Sequence, residues 1–175
     1  MAYEGQQIGI SEHGILDDLL DLTASSLGAV EQMVKSAVQS VRDQVCTEGR
    51  VSAVLVEQNQ TSAHGLAWLA TYAKALKQMH HWADKLNGDA RFGEVEKLIL
   101  QITFGEYLCQ IHGGIPISQG EMIRLQDIGI SQADTQGFAT KEIEILTLNG
   151  NTQQARLRLV ALMQQNNADI TVGTS

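Results

Sequence analysis

The sequence predicts an all-α protein, a helical bundle of four to six helices. Three observations lead there. One proline in 175 residues and 5% aromatic residues leave too few turn formers and strand formers for a sandwich or barrel. Long stretches without Gly or Pro are rich in Ala, Leu, Gln, Glu and Lys, the strong helix formers. Apolar residues make up 43% of the chain and recur at steps of three and four. The length suits one domain, expected over residues 14–166, with a flexible start at 1–13 and a linker or disordered tail at 167–175.

From Ile15 to Val45 the apolar stripe is Val30, Val34, Ala37, Val41 and Val45, with Ser25–Gly28 as the candidate break. "CTEGRVS" reads as a turn, with Gly49 able to take left-handed geometry. The longest helical signal runs from about Ser52 to Leu86. It carries two stripes: Leu66, Leu69, Ala73, Leu76, His80 and Ala83, then Trp68, Tyr72, Ala75, Met79, Trp82 and Leu86. So wide a face predicts packing on two sides and burial of Trp68 and Trp82, either within the bundle or at a partner interface. Asp89 is the expected N-cap of a helix from Ala90 to His112, with Val95, Ile99 and Ile102 facing the core.

The stretch "FGEYLCQIHGGIPISQGEMIRLQDIG" then reads as a corner between helices. Gly113 and Gly114 follow the last apolar turn, with Gly113 expected to take the positive φ. Pro116 prevents continuation. Ser118 and Glu121 match the S-x-x-E capping box and are expected to start a short helix ending near Gly129. "SQADTQG" reads as a loop. A helical hairpin closes the domain, "ATKEIEILTL" and "TQQARLRLVALMQQ" joined by "NGN". No strand is predicted.

A formal net charge of −8 and no basic run argue against nucleic acid and anionic membranes as partners. No apolar run approaches the ~18–20 residues of a membrane span. The N-terminus has no signal-peptide pattern, and Cys46 and Cys109 are isolated, so a cytoplasmic location is expected.

Candidate chemistry is sparse. His80 and His81 are neighbours, so on a helix they point about 100° apart and cannot chelate together. No H-E-x-x-H, G-x-S-x-G or P-loop pattern occurs, so no metal ligand or nucleophile is assigned. Cys109 falls on the Ile102 side of its helix and reads as an inert buried thiol. Glu106 follows Ile99 and Ile102 by seven and four residues, so it is expected to point inward and to need a partner, His64 or Arg124. A buried polar tie is the favoured role for Glu106, with a catalytic base as the competitor.

"HGLAWLATY", "FGEYL" and "GGIPISQGE", within a likeness from about Leu19 to Met163, resemble the N-terminal helical extension of flavin-dependent acyl-CoA dehydrogenases of the (2S)-methylsuccinyl-CoA dehydrogenase type. Gln110, Gly113, Gly114, Arg124 and Asp127 also stand in an order similar to the corner of the acyl-CoA dehydrogenase C-terminal four-helix bundle. That resemblance implies a degenerate copy of that bundle. It also implies FAD in the parent dehydrogenase, whose α,β-dehydrogenation of an acyl-CoA needs a catalytic glutamate in a setting such as "YEGT". Nothing after Asp127 matches that setting, and no middle β-domain is visible. No catalytic or cofactor-binding residue is therefore carried over. The expected role is a non-catalytic accessory or dimerisation domain, partnered by a dehydrogenase core in cis or in trans and by a second copy of itself. The alternatives are a small helical enzyme using Glu106 and His112, or a free-standing scaffold for a flavoenzyme.

Overall fold

The computed structural model describes residues 9–165. Residues 1–8 of the expected flexible start, and the expected tail at 167–175, lie outside the described residues. The α-helices are α1 (Leu19–Val45), α2 (Ala53–Gln58), α3 (Gln60–Gly88), α4 (Glu94–Gly113), α5 (Gln132–Phe138), α6 (Lys141–Asn149) and α7 (Gln153–Gln165). Two short ribbons, β1 (Cys46–Thr47) with β2 (Arg50–Val51) and β3 (Ile115–Pro116) with β4 (Met122–Ile123), and a 3-10 turn (Leu125–Ile128) complete the described residues. The fold is all-α, with α1 packed along α3, and α4 lying against α3, α6 and α7.

Helix α1 runs unbroken through Ser25–Gly28. Gly28 costs on the order of 1 kcal/mol of helix propensity. That cost is outweighed by a buried face of Leu22, Val30, Met33, Ala37, Val41 and Val45. The helix starts at Leu19 because Ile15 and Leu16 belong to a preceding turn. In that turn Ser11 N–H donates to the Ile15 carbonyl, Ile15 N–H donates to Ser11 Oγ, and Gly14 has φ +77°.

The turn after α1 is a six-residue hairpin, Cys46–Val51, with a two-residue loop. Glu48 (φ 53°) and Gly49 (φ 77°) are both left-handed, the geometry a two-residue hairpin loop requires. The single helix expected over Ser52–Leu86 is two. Asn59 leaves helical geometry at φ −116° and ψ 33°, and its Nδ2 donates to the Leu55 carbonyl, 2.9 Å away. Short Asn side chains compete for backbone groups in this way. Leu69 and Leu76 of α3 are fully buried, as the first stripe implies. Trp68 and Trp82 pack against the core and are half-buried within this chain.

Helix α4 departs most from expectation. Asp89 closes α3, and α4 begins after Gly93, whose N–H donates to Glu96 Oε2 at 3.1 Å. The face turned inward is Leu100, Gln101, Phe104, Leu108 and Ile111, while Val95, Ile99 and Ile102 lie half-buried on the far side. Apolar residues surround this helix almost completely, so spacing alone cannot choose its inner face.

Gln101 is completely buried at the junction of three segments. Its Oε1 accepts from Leu16 N–H (3.1 Å), and its Nε2 donates to the carbonyls of Gly14 (2.8 Å) and Gly150 (3.2 Å). Beside it, α4 meets the α6–α7 corner backbone to backbone. A Cβ on Gly105 would sit 2.7 Å from the Leu146 carbonyl oxygen, and one on Gly150 would sit 2.6 Å from that of Gln101.

Gln101→Leu is expected to lower stability by roughly 2–4 kcal/mol, because it strands one buried N–H and two carbonyls. Gly105→Ala should destabilise as well, since the Cβ meets backbone on both sides. Denaturant unfolding midpoints check both, and an unchanged midpoint for Gln101→Leu contradicts the assignment.

Candidate functional site

The glycine corner is built on α1 and α3. Helix α4 runs through Gly113, and it is Gly114, at φ 132° and ψ 129°, that leaves the helix. The positive φ therefore falls one residue later than expected. Ile115 pairs with Ile123 and Pro116 with Met122. Both isoleucines are buried, and this pairing draws the intervening residues into a hairpin turn. Ser118 and Glu121 close that turn instead of starting a helix. Ile117 N–H donates to the Glu121 carbonyl at 3.0 Å, and Ser118 Oγ lies 3.4 Å from Glu121 Oε2.

After the hairpin, Arg124 N–H donates to Asp127 Oδ2 at 2.7 Å and starts the 3-10 turn. That turn is seated by side chains from two helices. Ser40 Oγ lies 3.1 Å from the Ile128 carbonyl oxygen, Gln44 Nε2 donates to the same carbonyl at 3.2 Å, and Ser62 Oγ donates to that of Asp127 at 2.9 Å. Gly65 of α3 admits the corner, because a Cβ there would stand 2.7 Å from Ile123 and 2.8 Å from Ile128.

A cleft of about 750 Å³ opens between the first turn of α3 and the β3–β4 hairpin. Thr61, His64, Ser118, Glu121 and Arg124 supply its polar wall, and all five are exposed. His64 is not aimed at Glu106; its Nε2 accepts from Trp68 Nε1–H at 2.9 Å.

Glu106 is exposed, which corrects the inward reading. Its carboxylate accepts from the amides of Gln110 and Asn151. Gln110 in turn accepts from the Tyr72 hydroxyl at 2.6 Å, and Arg156 Nη1 donates to Asn151 Oδ1 at 2.9 Å. Tyr72 stacks on Tyr107 with centroids 4.6 Å apart. Loss of solvent around the Tyr72 phenol, then Tyr107 and Glu106, push its pKa above the usual value. The arrangement ties α3, α4 and the α6–α7 corner together on the surface. His112 is also exposed, with its ring edge-on to Phe138. Six residues separate it from Glu106 on α4, about 240° around the axis, so the two do not converge.

Cys109 is exposed on the outer side of α4, so the expected buried thiol is also corrected. Its neighbour in the pattern, Ile102, shares that outer side. His80 Nδ1 lies 3.0 Å from the hydroxyl of buried Thr23, a polar tie between α3 and α1. Among the described residues no group of His, Cys, Asp or Glu side chains could hold a metal ion, and no helix is long and apolar enough to cross a membrane. Spacing gave no sign of the two-pronged pair between Arg158 of α7 and Glu94 of α4, at 2.6 and 2.7 Å, because its partners are 64 positions apart.

No family model matches the chain. Over 161 residues it is 48% identical to (2S)-methylsuccinyl-CoA dehydrogenase of Cereibacter sphaeroides. This chain is similar to part of that enzyme. The match takes in 92% of the chain but 29% of the relative, so the chain spans less than a third of the relative's length.

Arg158 holds the Glu94 carboxyl below its usual pKa of 4.5, chiefly through their hydrogen bonds. A carboxyl lowered in the folded state contributes stability above its unfolded pKa and loses it as pH falls through the folded value. Arg158→Gln should therefore flatten the decline in thermal stability on acidification below about pH 4.5. Melting curves of both proteins from pH 6 to pH 3 test this, and parallel declines would contradict it.

Proposed function

We propose that the chain is a non-catalytic helical accessory domain of an acyl-CoA dehydrogenase, packing against the dehydrogenase core and stabilising it. The observation that carries the reading is the lopsided match: nearly the whole chain aligns with a minority of the relative. In this reading the FAD-dependent α,β-dehydrogenation of an acyl-CoA thioester takes place in the remainder of such a protein, which also supplies the flavin site.

The side chains of the chain support a structural role. Both carboxylate oxygens of Glu106 are engaged by amides, and His112 points elsewhere on the helix. The character of the cleft beside the β3–β4 hairpin supports placing the flavin elsewhere. Its polar side chains are all exposed, and none is buried to grip the edge of a ring. The chemistry is therefore proposed to lie outside this chain. Its own contribution is a packing surface on helices whose crossings are held by Gln101 and the seated corner.

The test is a chimera in which this chain replaces the matched 29% of the relative. The chimera is expected to retain (2S)-methylsuccinyl-CoA dehydrogenase activity and flavin, and Glu106→Gln with His112→Gln should leave kcat within about twofold. The chain alone, purified with excess FAD, should retain no visible flavin absorbance. Stoichiometric flavin on the isolated chain, or loss of turnover in the double variant with an unchanged melt, would overturn the proposal.

A further inference from the structure

Helix α7 carries seven apolar residues among its thirteen, yet only Ala155 is buried. A helix apolar around most of its circumference is ordinarily covered on more than one side. Here α4 supplies the principal cover. Ala155, Arg158, Leu159 and Leu162 follow one side of the helix at steps of three, one and three, and Arg158 is fastened to Glu94 of α4. The opposite side holds Leu157 (62% exposed) and Val160 (49% exposed), one turn apart. Leu148, at the end of α6, is 75% exposed.

Charge distinguishes this side further. Helix α7 has no acidic residue, although the chain as a whole carries −8. The guanidinium of its exposed Arg156 hydrogen-bonds only the neutral Asn151 among the described residues. From these features we infer that the outer face of α7, centred on Leu157 and Val160, is where the remainder of a dehydrogenase of this type docks. The inference rests on the accessory-domain reading. The occupant is an apolar surface on that remainder, with a carboxylate at its rim facing Arg156. The relative supplies such a partner in kind: 71% of its length lies outside the match, from 100% less the 29% covered. A second copy of this chain is the weaker occupant, because two bodies of −8 repel and an α7–α7 contact offers no carboxylate for Arg156.

The experiment is hydrogen exchange on the intact chimera and on this chain alone, followed peptide by peptide. In the chimera, amides of residues 153–165 are expected to exchange at least about tenfold more slowly than in the chain alone. Leu157→Gln with Val160→Gln should remove that protection and leave α1 and α3 unchanged. Val51→Gln with Val54→Gln, exposed apolar residues on β2 and α2, should leave it intact. If the variant pair loses protection throughout, Leu157→Gln alone replaces it, and continued protection of α7 in that variant counts against the inference. Protection confined to another face would overturn the α7 assignment while leaving the accessory role standing. No protected face anywhere, with independent melting of the two parts, would overturn the accessory role itself. Concentration-dependent protection of α7 in the chain alone would make the occupant a second copy and reject the inference as stated.

Discussion

The Gln101 side chain is fully buried, and that is tolerable only because both ends of its amide are met. The groups that meet it come from neighbouring positions 14 and 16 and from distant position 150. One primary amide has the donor and acceptor set for this: two N–H groups and a carbonyl oxygen. The turn before α1, the middle of α4 and the α6–α7 corner are thereby held in one register. Apolar packing alone would be less selective, because α4 offers apolar surface on nearly every side.

Glycine extends the same constraint. Gly105 and Gly150 let α4 and the α6–α7 corner meet at backbone distance, which places Gly150's carbonyl within reach of Gln101. Once that crossing is set, α4 has a fixed rotation about its axis. Phe104 and Leu108 are turned in, while Glu106 and Cys109 are turned out. The absence of convergent chemistry along α4 is a consequence of this packing. Glu106 is left at the surface, where its carboxylate accepts from the amides of Gln110 and Asn151.

The corner after α4 obeys a different rule. Ile115, Ile123 and Ile128 are buried, the last two against Gly65 of α3, and its carbonyls are taken up by Ser40, Gln44 and Ser62. A segment rich in polar and glycine residues is thus tied to the scaffold while its outer edge borders a shallow cleft. Helix α7 is the converse, a mostly apolar element with one principal neighbour. Packing is close around the corner, while α6 and α7 leave Leu148, Leu157 and Val160 exposed.

Composition and period were enough for the all-α class, for the first stripe of α3, for the left-handed Gly49 and for the helical hairpin near the C-terminus. Those features are local, set by propensity and by spacing along one helix. Sequence also carried the likeness to an acyl-CoA dehydrogenase, which the 48% identity to part of (2S)-methylsuccinyl-CoA dehydrogenase supports. Rotation of α4 was not legible, because its apolar residues leave no single stripe, so Glu106 and Cys109 were placed inside when they lie outside. Nor was the hairpin at Ser118–Glu121 legible: S-x-x-E caps a helix only where the following residues are free to be helical, and burial of Ile115 against Ile123 pairs them as strands. The half-burial of Trp68 and Trp82, the Glu94–Arg158 pair and the three partners of Gln101 depend on residues tens of positions apart. Only the tertiary structure could decide them, because burial and long-range hydrogen bonds are properties of neighbours in space, which a period along one chain does not encode.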